Sequence, residues 1–299
     1  MDIRDLEYFL ACCKAGSFTA AARQVHIVQS AMSCAIARLE KDVVATLFDR
    51  NVTPLTLTEH GVALHGPAQR VLDAVQAARD EVAAVSGQVR GTVTLGSTWH
   101  TGRIDLVRVL ADVRERYPDV VVQLRSVQTG SEGLVGALRA GAVDMALTAN
   151  PCADASPRGI EMHELFSEPM VFVCRPDHAL SRRSWVGVPD LRDEMLLRPP
   201  PGWGTRAIID AVFGATQSAY EIGSYALMSN LVREGFATTL APESAIIGDM
   251  LNGLCAVPVN DVRLRWTLFA AVCTERRITA AAAVLLRAFT QLSRACPAE

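Results

Sequence analysis

Apolar residues recur at helical spacing through the first sixty positions of the chain and predict three short helices. The first covers residues 3–14, and its buried stripe consists of Leu6, Phe9, Leu10 and Cys13. Gly16 ends this helix, and Ser17 is placed to cap a second one over residues 18–25. After a short break at residues 26–28, a third helix has an inward stripe of Met32, Ile36, Leu39 and Val43. Two short helices joined by a tight turn predict a helix-turn-helix.

The third helix has a polar outer face. It consists of Gln29, Ser30, Ser33, Cys34, Ala37, Arg38 and Lys41. Small polar residues near a helix N-terminus, with cations further along, suit the base edges and phosphates of DNA respectively. A three-helix bundle with a solvated outer face has the same periodicity. The spacing therefore leaves a DNA-reading face and a plain bundle surface both open.

A heptad pattern follows and predicts one long helix from Thr58 to about residues 86–87. Its apolar seam consists of Leu64, Ala68, Val71, Val75, Ala78, Val82 and Val85. Such a seam is typical of a helix that pairs with a second copy of itself, although packing on its own domain is the alternative. Pro67 is expected to kink or loosen the helix. Residues 87–91, with two glycines, predict a hinge.

From Thr92 onward, strands alternate with helices, which predicts an α/β domain with a mainly parallel sheet covered on both faces. The predicted strands are residues 93–95, 120–127, 143–148, 161–166, 170–174, 195–197, 219–222, 238–240 and 265–272. Helices are predicted near residues 106–116, 131–139, 205–213, 225–233 and 279–294. Ligands of such sheets bind at the carboxyl ends of strands, near helix N-termini.

Composition restricts the classes of function. The 299 residues are 50% hydrophobic and 20% charged, which fits two or three folded domains. No apolar run reaches the length of a membrane span and the N-terminus is not signal-like, so we expect a cytoplasmic protein without a membrane partner. The eight cysteines lack CxxC pairs and metal-spaced histidines, so we expect most of them to be small buried side chains, with a redox switch as the alternative, and we expect no metal or cofactor.

Charge and motifs give two further expectations. Residues 1–60 hold six cations and seven anions, a balance that argues against tight phosphate binding. The chain contains no Gly-x-Ser-x-Gly elbow, no phosphate-binding glycine loop, no His-Glu-x-x-His motif and no Gly-x-Gly-x-x-Gly after the first strand. We therefore expect no catalytic residues and no enzyme activity.

Residue identity favours the DNA-reading interpretation. The motifs are Leu6-x-x-Phe9, Gly16-Ser17-Phe18-Thr19-x-Ala21-Ala22, Gln29-Ser30-Ala31-x-Ser33-x-x-Ile36-x-x-Leu39-Glu40, Leu47-Phe48-x-Arg50 and Leu57-Thr58-Glu59-x-Gly61. In this order and spacing they resemble the N-terminal domain of LysR-type transcriptional regulators. The resemblance implies a winged helix-turn-helix, all-α with a small β-wing, over residues 1–58, and a linker and dimerisation helix with its hinge over residues 59–90. By position it implies DNA contacts at Gln29, Ser30, Ser33, Cys34, Arg38 and Arg50.

Three departures from the family pattern weaken the expected grip on DNA. Val28 stands where the family has Ser or Thr, and losing such a cap costs about 1 kcal/mol. Cys34 replaces a residue that is often long and polar, and the wing at residues 51–55 lacks the usual cation. We expect DNA binding that is weak or that depends on the avidity of a dimer or tetramer.

The remainder also resembles this family, on looser landmarks. These are Gly91-x-Val93-x-Leu95-Gly96, Tyr117-Pro118, Leu138-Arg139-x-Gly141-x-x-Asp144, Glu168-Pro169, and Gly235 before Thr238-Thr239-Leu240-Ala241-Pro242. The resemblance implies an effector-binding domain over residues 91–299, similar to type 2 periplasmic binding proteins, with two crossing strands and a cleft. One subdomain is expected at residues 91–160 plus 267–299 and the other at residues 161–266.

The resemblance also implies which residues line the cleft. The expected effector-binding residues are His100, Thr101, Ser131, Pro201, Gly202, Trp203 and Ser224, with Trp99 beside them. Hydroxyls and backbone N–H groups at helix starts favour a polar or anionic co-inducer of open identity. Ser131 and Ser224 fit simple helix caps equally well, and the tryptophans fit core positions.

The sequence therefore predicts a LysR-type regulator whose binding to promoter DNA is modulated by a small-molecule effector. Expected partners are pseudo-palindromic double-stranded DNA, further copies of the chain in a homodimer or homotetramer, the effector, and RNA polymerase as a candidate contact. The alternative is a ligand-binding assembly protein whose helical head no longer reads DNA.

Overall fold

The computed structural model describes residues 1–50, 52, 54–85, 89–98, 100–127, 129–149, 157–214 and 220–295. The chain divides into two compact units, which we call the first unit, Met1–Gln88, and the second unit, Val89–Glu299. The expected hinge at residues 87–91 lies partly outside the described residues. Trp99 also lies outside them, as do two positions between the wing strands, 51 and 53.

The first unit contains four helices and a two-stranded antiparallel wing among its described residues. They are α1 (Ile3–Ala15), α2 (Phe18–Gln24), α3 (Gln29–Val43), β1 (Phe48–Asp49), β2 (Thr56–Leu57) and α4 (Glu59–Val85). Ser17 Oγ accepts the Ala20 N–H at 3.4 Å, and Thr58 Oγ1 accepts the Gly61 N–H at 3.1 Å. Both predicted N-caps are therefore confirmed. Helix α4 runs through Pro67 without ending there.

Aromatic and aliphatic side chains hold this unit together. Phe9 and Phe48 are fully buried with ring centroids 5.4 Å apart, and Phe18 lies 5.6 Å from Phe48. The inward residues of α3 are buried as predicted, except that Val43 is only partly buried. Because Phe48 belongs to β1, the same cluster fixes the wing against the helices.

The predicted seam of α4 divides into two parts. Leu64 and Ala68 pack against the core of their own unit, so the alternative interpretation holds for this end of the helix. Val71, Ala78 and Val82 are exposed. The later part of the seam thus presents apolar side chains that nothing in the described first unit covers.

The second unit is built from eight strands and five helices among its described residues. The strands are β3 (Gly91–Ser97), β4 (Val120–Ser126), β5 (Met145–Ala149), β6 (Ile160–Cys174), β7 (Leu196–Leu197), β8 (Thr238–Pro242), β9 (Cys255–Pro258) and β10 (Arg265–Cys273). The helices are α5 (Leu106–Arg116), α6 (Gly130–Ala140), α7 (Gly204–Phe213), α8 (Tyr225–Arg233) and α9 (Ala280–Ala295).

The strand order is β4-β3-β5-β10-β6-β8-β7, with β9 also paired to β6. Lobe 1 consists of β3, β4 and β5 with α5, α6 and α9, and lobe 2 of β7, β8 and β9 with α7 and α8. Strand β6 carries the chain from lobe 1 into lobe 2 and β10 carries it back, so these two crossing strands pair antiparallel. The prediction of a mainly parallel sheet is therefore wrong for the second unit as a whole, and it holds only for β3 with β4 and β5 and for β7 with β8.

Three predicted strands need correction. Residues 161–166 and 170–174 belong to one strand, β6, which continues through Pro169. Strand β6 changes its pairing partner at this proline: Pro169 pairs with the first residue of β10, and Met170 pairs with the last residue of β8. Residue 219 of the predicted strand at 219–222 lies outside the described residues, and the rest forms only a bridge between Arg198 and Glu221. Strand β9 was missed, since four residues ending in proline show no clear alternation.

The cysteine prediction is confirmed for three residues, since Cys12, Cys174 and Cys273 are buried. Burial raises the pKa of Cys12 to about 12 and that of Cys174 to about 11, which keeps both thiols protonated. Cys34 is exposed, and Cys152 and Cys296 lie outside the described residues. None of the described helices is both long and apolar enough to span a membrane.

Candidate functional site

The outer face of α3 carries the residues predicted to read DNA. Gln29, Ser30, Cys34 and Arg38 are exposed and Ser33 is half-buried, while the opposite face is buried in the core. Gln29 Nε2 donates to Ser33 Oγ at 3.0 Å. The sixth predicted residue, at position 50, is exposed just after β1. The structure thus puts five of these side chains on one helix face, while their contact with DNA remains a prediction.

The N-terminus of α3 lacks a side-chain cap, as the departure at Val28 predicts. Val28 is extended, and only its carbonyl takes part, accepting the N–H groups of Ala31 and Met32. The N–H groups of Gln29 and Ser30 have no hydrogen-bond partner among the described residues. Free N–H groups and the positive end of the helix dipole favour an anion such as a phosphate.

The two arginines predicted at the DNA interface are held by carboxylates of the first unit. Arg38 makes a two-pronged contact with Asp5, in which Nε lies 2.9 Å from Oδ2, and Asp5 is fully buried. Arg50 Nη2 lies 2.7 Å from Glu40 Oε2, and its guanidinium lies over the Phe18 ring at 5.6 Å. Each charge is thus already partly neutralised. Arg38 also joins α3 to α1, a role that periodicity did not predict.

A cavity of about 400 Å³ lies between the two lobes of the second unit. Four of the predicted effector residues line it: His100, Ser131, Trp203 and Ser224. Thr101, Pro201 and Gly202 do not. The Thr101 hydroxyl donates to the Ile104 carbonyl of its own loop at 3.3 Å. Binding of an effector by any of these residues remains a prediction.

The starts of three helices open onto this cavity, and the two serines predicted there differ in their hydrogen bonds. Ser224 Oγ accepts the Leu227 N–H at 3.4 Å, so Ser224 caps α8. Ser131, in the first turn of α6, has no such bond; its hydroxyl is buried without a partner among the described residues. A buried hydroxyl without a partner is costly, so Ser131 is the side chain with the clearest need for a ligand atom.

Pro201 and Gly202 belong to a loop of lobe 2 that packs on lobe 1. The Gly202 carbonyl accepts the Glu132 N–H at 3.1 Å, which joins the loop to the start of α6. Gly130 has φ +65°, and a Cβ there would lie 2.7 Å from Trp203 Cδ1. Only glycine permits this close approach. Pro201 and Gly202 therefore hold this loop against lobe 1 without lining the cavity, whereas the next residue, Trp203, lines it.

A relay of three side chains, His100, Ser244 and Glu168, lies beside the cavity, which His100 and Ser244 line. Glu168 on β6 is 2% exposed and accepts the Ser244 N–H at 2.9 Å and the Ser244 hydroxyl at 2.5 Å. His100 Nε2 lies 3.1 Å from Ser244 Oγ and 3.9 Å from Glu168 Oε1. His100 comes from lobe 1 and Ser244 from lobe 2, so the relay bridges the cleft.

The relay differs from the nucleophile–base–carboxylate arrangement of hydrolases. In that arrangement the imidazole accepts the serine proton, and the carboxylate holds the other ring nitrogen. Here the serine hydroxyl donates to Glu168, and the carboxylate does not reach His100 Nδ1. Ser244 is therefore not activated as a nucleophile.

Aromatic side chains surround His100 within the cavity. The Trp266 and Tyr225 rings lie 5.0 Å and 5.4 Å from the imidazole, and the Tyr225 hydroxyl is 2.8 Å from Thr205 Oγ1. Burial raises the pKa of Tyr225 well above its usual value and keeps it neutral. Sequence reasoning missed Ser244, Tyr225, Trp266 and Glu168 as site residues. The end of the strand before Ser244 was the one available signal.

Metal ligation finds no support in the part of the chain that the structure describes. No group of three or more His, Cys, Asp or Glu side chains is arranged there to hold a metal ion.

Comparisons with known proteins match both units. The sequence model described as "LysR substrate binding domain" matches residues 86–294, and "Bacterial regulatory helix-turn-helix protein, lysR family" matches residues 3–62. The chain is 31% identical over 215 residues to the HTH-type transcriptional regulator CfxR of Cupriavidus necator, covering 71% of this chain and 65% of that protein. It is 31% identical over 278 residues to a probable hydrogen peroxide-inducible genes activator of Mycobacterium leprae, covering 92% and 86%.

Solved structures share the fold over nearly the whole chain. A full-length OxyR variant from Pseudomonas aeruginosa superposes with a TM-score of 0.75 at 20% identity and covers 97% of this chain and 98% of its own. CbnR complexed with its target DNA superposes with a TM-score of 0.65 at 21% identity and covers 98% and 100%. At these identities the likeness concerns the fold alone.

Proposed function

Because this chain belongs to the family of LysR-type transcriptional regulators, we propose that α3 reads promoter DNA and that a small polar or anionic effector in the cavity between the lobes controls this binding. The partnerless Ser131 hydroxyl at the start of α6 carries the effector half of the proposal. The exposed face of α3, with two free N–H groups at its start, supports the DNA half.

The chemistry of the cavity favours a small carboxylate. Neutral donors at the starts of α6, α7 and α8 face it, and the dipole of each helix favours negative charge there. Among the described lining residues there is no arginine or lysine. A single carboxylate, held by hydroxyls and N–H groups, fits this arrangement better than a highly charged ligand does.

A ligand that contacts both lobes favours their closed arrangement over an open one. Ser131 belongs to lobe 1, whereas Thr205 and Ser224 belong to lobe 2. In a homodimer or homotetramer such closure changes the spacing of the α3 helices along pseudo-palindromic DNA, and with it DNA bending or access of RNA polymerase. The exposed apolar residues of α4 supply a surface for pairing with a second copy.

We propose further that the protein acts in the cytoplasm and is not an enzyme. The hydrogen bonds among His100, Ser244 and Glu168 support the absence of nucleophilic catalysis, because the Ser244 hydroxyl donates to the Glu168 carboxylate and not to the imidazole. The alternative function, an assembly protein with a head that no longer reads DNA, is not favoured, since the helix-turn-helix family match extends over residues 3–62.

Footprinting on the intergenic DNA upstream of the protein's own gene tests DNA reading. We expect the full-length chain to protect two half-sites and Ser30→Glu to lose protection at least about tenfold, because the new charge faces phosphates. Ser184→Glu is the matched control, because Ser184 is also an exposed serine but lies in the second unit. Absence of protection by the unaltered chain, or equal binding by both variants, would contradict the proposal.

The salt dependence of DNA affinity tests the expectation that the protein binds DNA weakly. Arg38 and Arg50 are already paired with Asp5 and Glu40, so few phosphates can be neutralised. We expect affinity to fall less than about a hundredfold between 50 and 200 mM salt, against about 10³–10⁵ for six to ten phosphate contacts. Fluorescence anisotropy with a labelled duplex measures this, and a steeper slope would refute the expectation.

A further inference from the structure

His100 is the one side chain among the described cavity-lining residues that can become a cation. Its Nε2 faces Ser244, but its Nδ1 has no hydrogen-bond partner among the described residues. The side chain is 18% exposed, so the imidazole retains access to the cavity. His100 lines the cavity, and Nδ1 is the ring nitrogen left for a ligand.

The donors and acceptors of the relay fix which nitrogen carries the proton. The Ser244 hydroxyl has one hydrogen, and it is donated to Glu168 Oε1. Ser244 Oγ must then accept the third bond, so Nε2–H of His100 is the donor. In the neutral imidazole Nδ1 is consequently an acceptor, and it becomes a donor only when the ring takes up a second proton.

We infer that His100 takes up one proton from solvent when a carboxylate binds in the cavity, and that Glu168 stabilises the resulting imidazolium through Ser244. The ligand carboxylate accepts the new Nδ1–H, and no bond within the ligand breaks. This inference rests on the proposed function, because it concerns the same cavity and the same ligand class. Under this inference, binding of each effector molecule is coupled to the uptake of one proton.

The electrostatics of the neighbouring elements favour this uptake. His100 Nε2 lies 3.9 Å from Oε1 of the buried Glu168 side chain, and a carboxylate at that distance stabilises a cation beside it. Tyr225 on α8 is neutral, and Trp266 on β10 carries no charge. Arg103 and Glu243 flank the relay but pair with each other at 3.2 Å on the surface.

The inference predicts that acid and amide forms of one ligand differ in their pH dependence. An amide offers a donor to the neutral Nδ1 and needs no proton, whereas a carboxylate needs the imidazolium. The two forms of the ligand therefore differ in a measurable way, in how their affinity changes with pH. The relay thus makes carboxylate affinity depend on pH even though the ligand stays ionised.

Isothermal titration of the full-length protein tests this with benzoate and acetate, and with benzamide and acetamide as neutral counterparts. The aromatic lining suggests benzoate as the tighter probe. At pH 8 we expect the heats in HEPES and Tris to differ by the equivalent of about one proton per bound carboxylate. Between pH 7 and 9 carboxylate affinity should fall about tenfold per unit, while amide affinity stays level.

Two variants separate proton binding from structural support. His100→Gln keeps a polar side chain but cannot be protonated, so proton uptake should vanish and benzoate affinity at pH 6 should fall about tenfold or more. Glu168→Gln keeps an oxygen for Ser244 but cannot carry a negative charge, so the fall in benzoate affinity should move to lower pH. A merely structural role of Glu168 would lower affinity equally at every pH. Thermal melts check that both variants fold.

The outcomes distinguish the inference from the function on which it rests. Carboxylate binding without proton uptake, or uptake retained in His100→Gln, would overturn the inference and leave the effector cavity in place. If neither benzoate nor acetate binds between pH 6 and 9, the proposed anionic effector fails and the inference fails with it.

Discussion

Exchanging Asp210 for asparagine is expected to lower the free energy of unfolding of the second unit by about 3–5 kcal/mol. Asp210 is shared by two buried arginines: Arg198 Nη1 lies 2.6 Å from Oδ1, and Arg206 Nε lies 2.6 Å from Oδ2. Their side chains are 7% and 9% exposed. Asparagine offers one acceptor and no charge, so two desolvated guanidinium groups lose their common partner.

Urea unfolding followed by tryptophan fluorescence measures the loss. Asp177→Asn is the matched control, because Asp177 pairs with Arg175 at 2.8 Å on the surface, where the two side chains are 68% and 44% exposed. We expect less than about 1 kcal/mol for this control. If the two substitutions lowered the free energy of unfolding equally, the buried ion pairs of Asp210 would stabilise the protein no more than the exposed pair of Asp177 does.

The same network also reaches the cavity. Arg206 Nη1 donates to the Pro199 carbonyl at 3.1 Å, just before the loop that meets α6. Asp210→Asn should therefore loosen the loop that carries Trp203 and weaken effector binding as well as stability.

Gly61→Ala is expected to destabilise the first unit by about 2–3 kcal/mol and to reduce DNA binding with it. A Cβ on Gly61 would lie 2.2 Å from the Leu47 carbonyl oxygen and 2.7 Å from Leu57 Cδ2. That carbonyl already accepts the Thr58 N–H at 3.0 Å, so Leu47 cannot move away from the new methyl group without breaking this hydrogen bond. The start of α4 must move away from the wing to admit one methyl group.

Gly66→Ala is the matched control in the same helix. A Cβ there would meet only the flexible end of Arg70, at 3.4 Å. Because alanine favours helix over glycine, this exchange should stabilise the first unit by about 0.5–1 kcal/mol. Urea unfolding and anisotropy with labelled DNA check both variants. Changes of the same sign and size would contradict the close approach at Gly61.

Local signals predicted most of the fold, and long-range pairing accounts for most of the errors. The stripes of α1 and α3 and the caps at Ser17 and Thr58 depend on residues within one or two turns. Strand β6 was predicted as two pieces, because a proline inside a strand usually breaks it. Its continuity depends on β8 and β10, which lie far downstream in the sequence and beyond the reach of any local pattern.

The candidate site shows the same division. Ser131, Trp203 and Ser224 were predicted at the cavity from the resemblance to the family, and each of them lies at the start of a helix. The bonds from Ser244 to Glu168 join residues 76 apart in sequence, and they depend on the crossing strands. The pairing of Arg38 with Asp5, 33 residues apart, likewise depends on how α1 packs on α3.

The return of the chain through β10 has a consequence for truncation. Lobe 1 is assembled from two separated stretches, so its last part, α9, is synthesised after all of lobe 2. Leu285 and Phe289 of α9 are fully buried in the main core. A premature stop codon shortly before Ala280 would thus remove part of the hydrophobic core and not only an exposed C-terminal segment. During synthesis, lobe 1 cannot close its core until the final helix has left the ribosome.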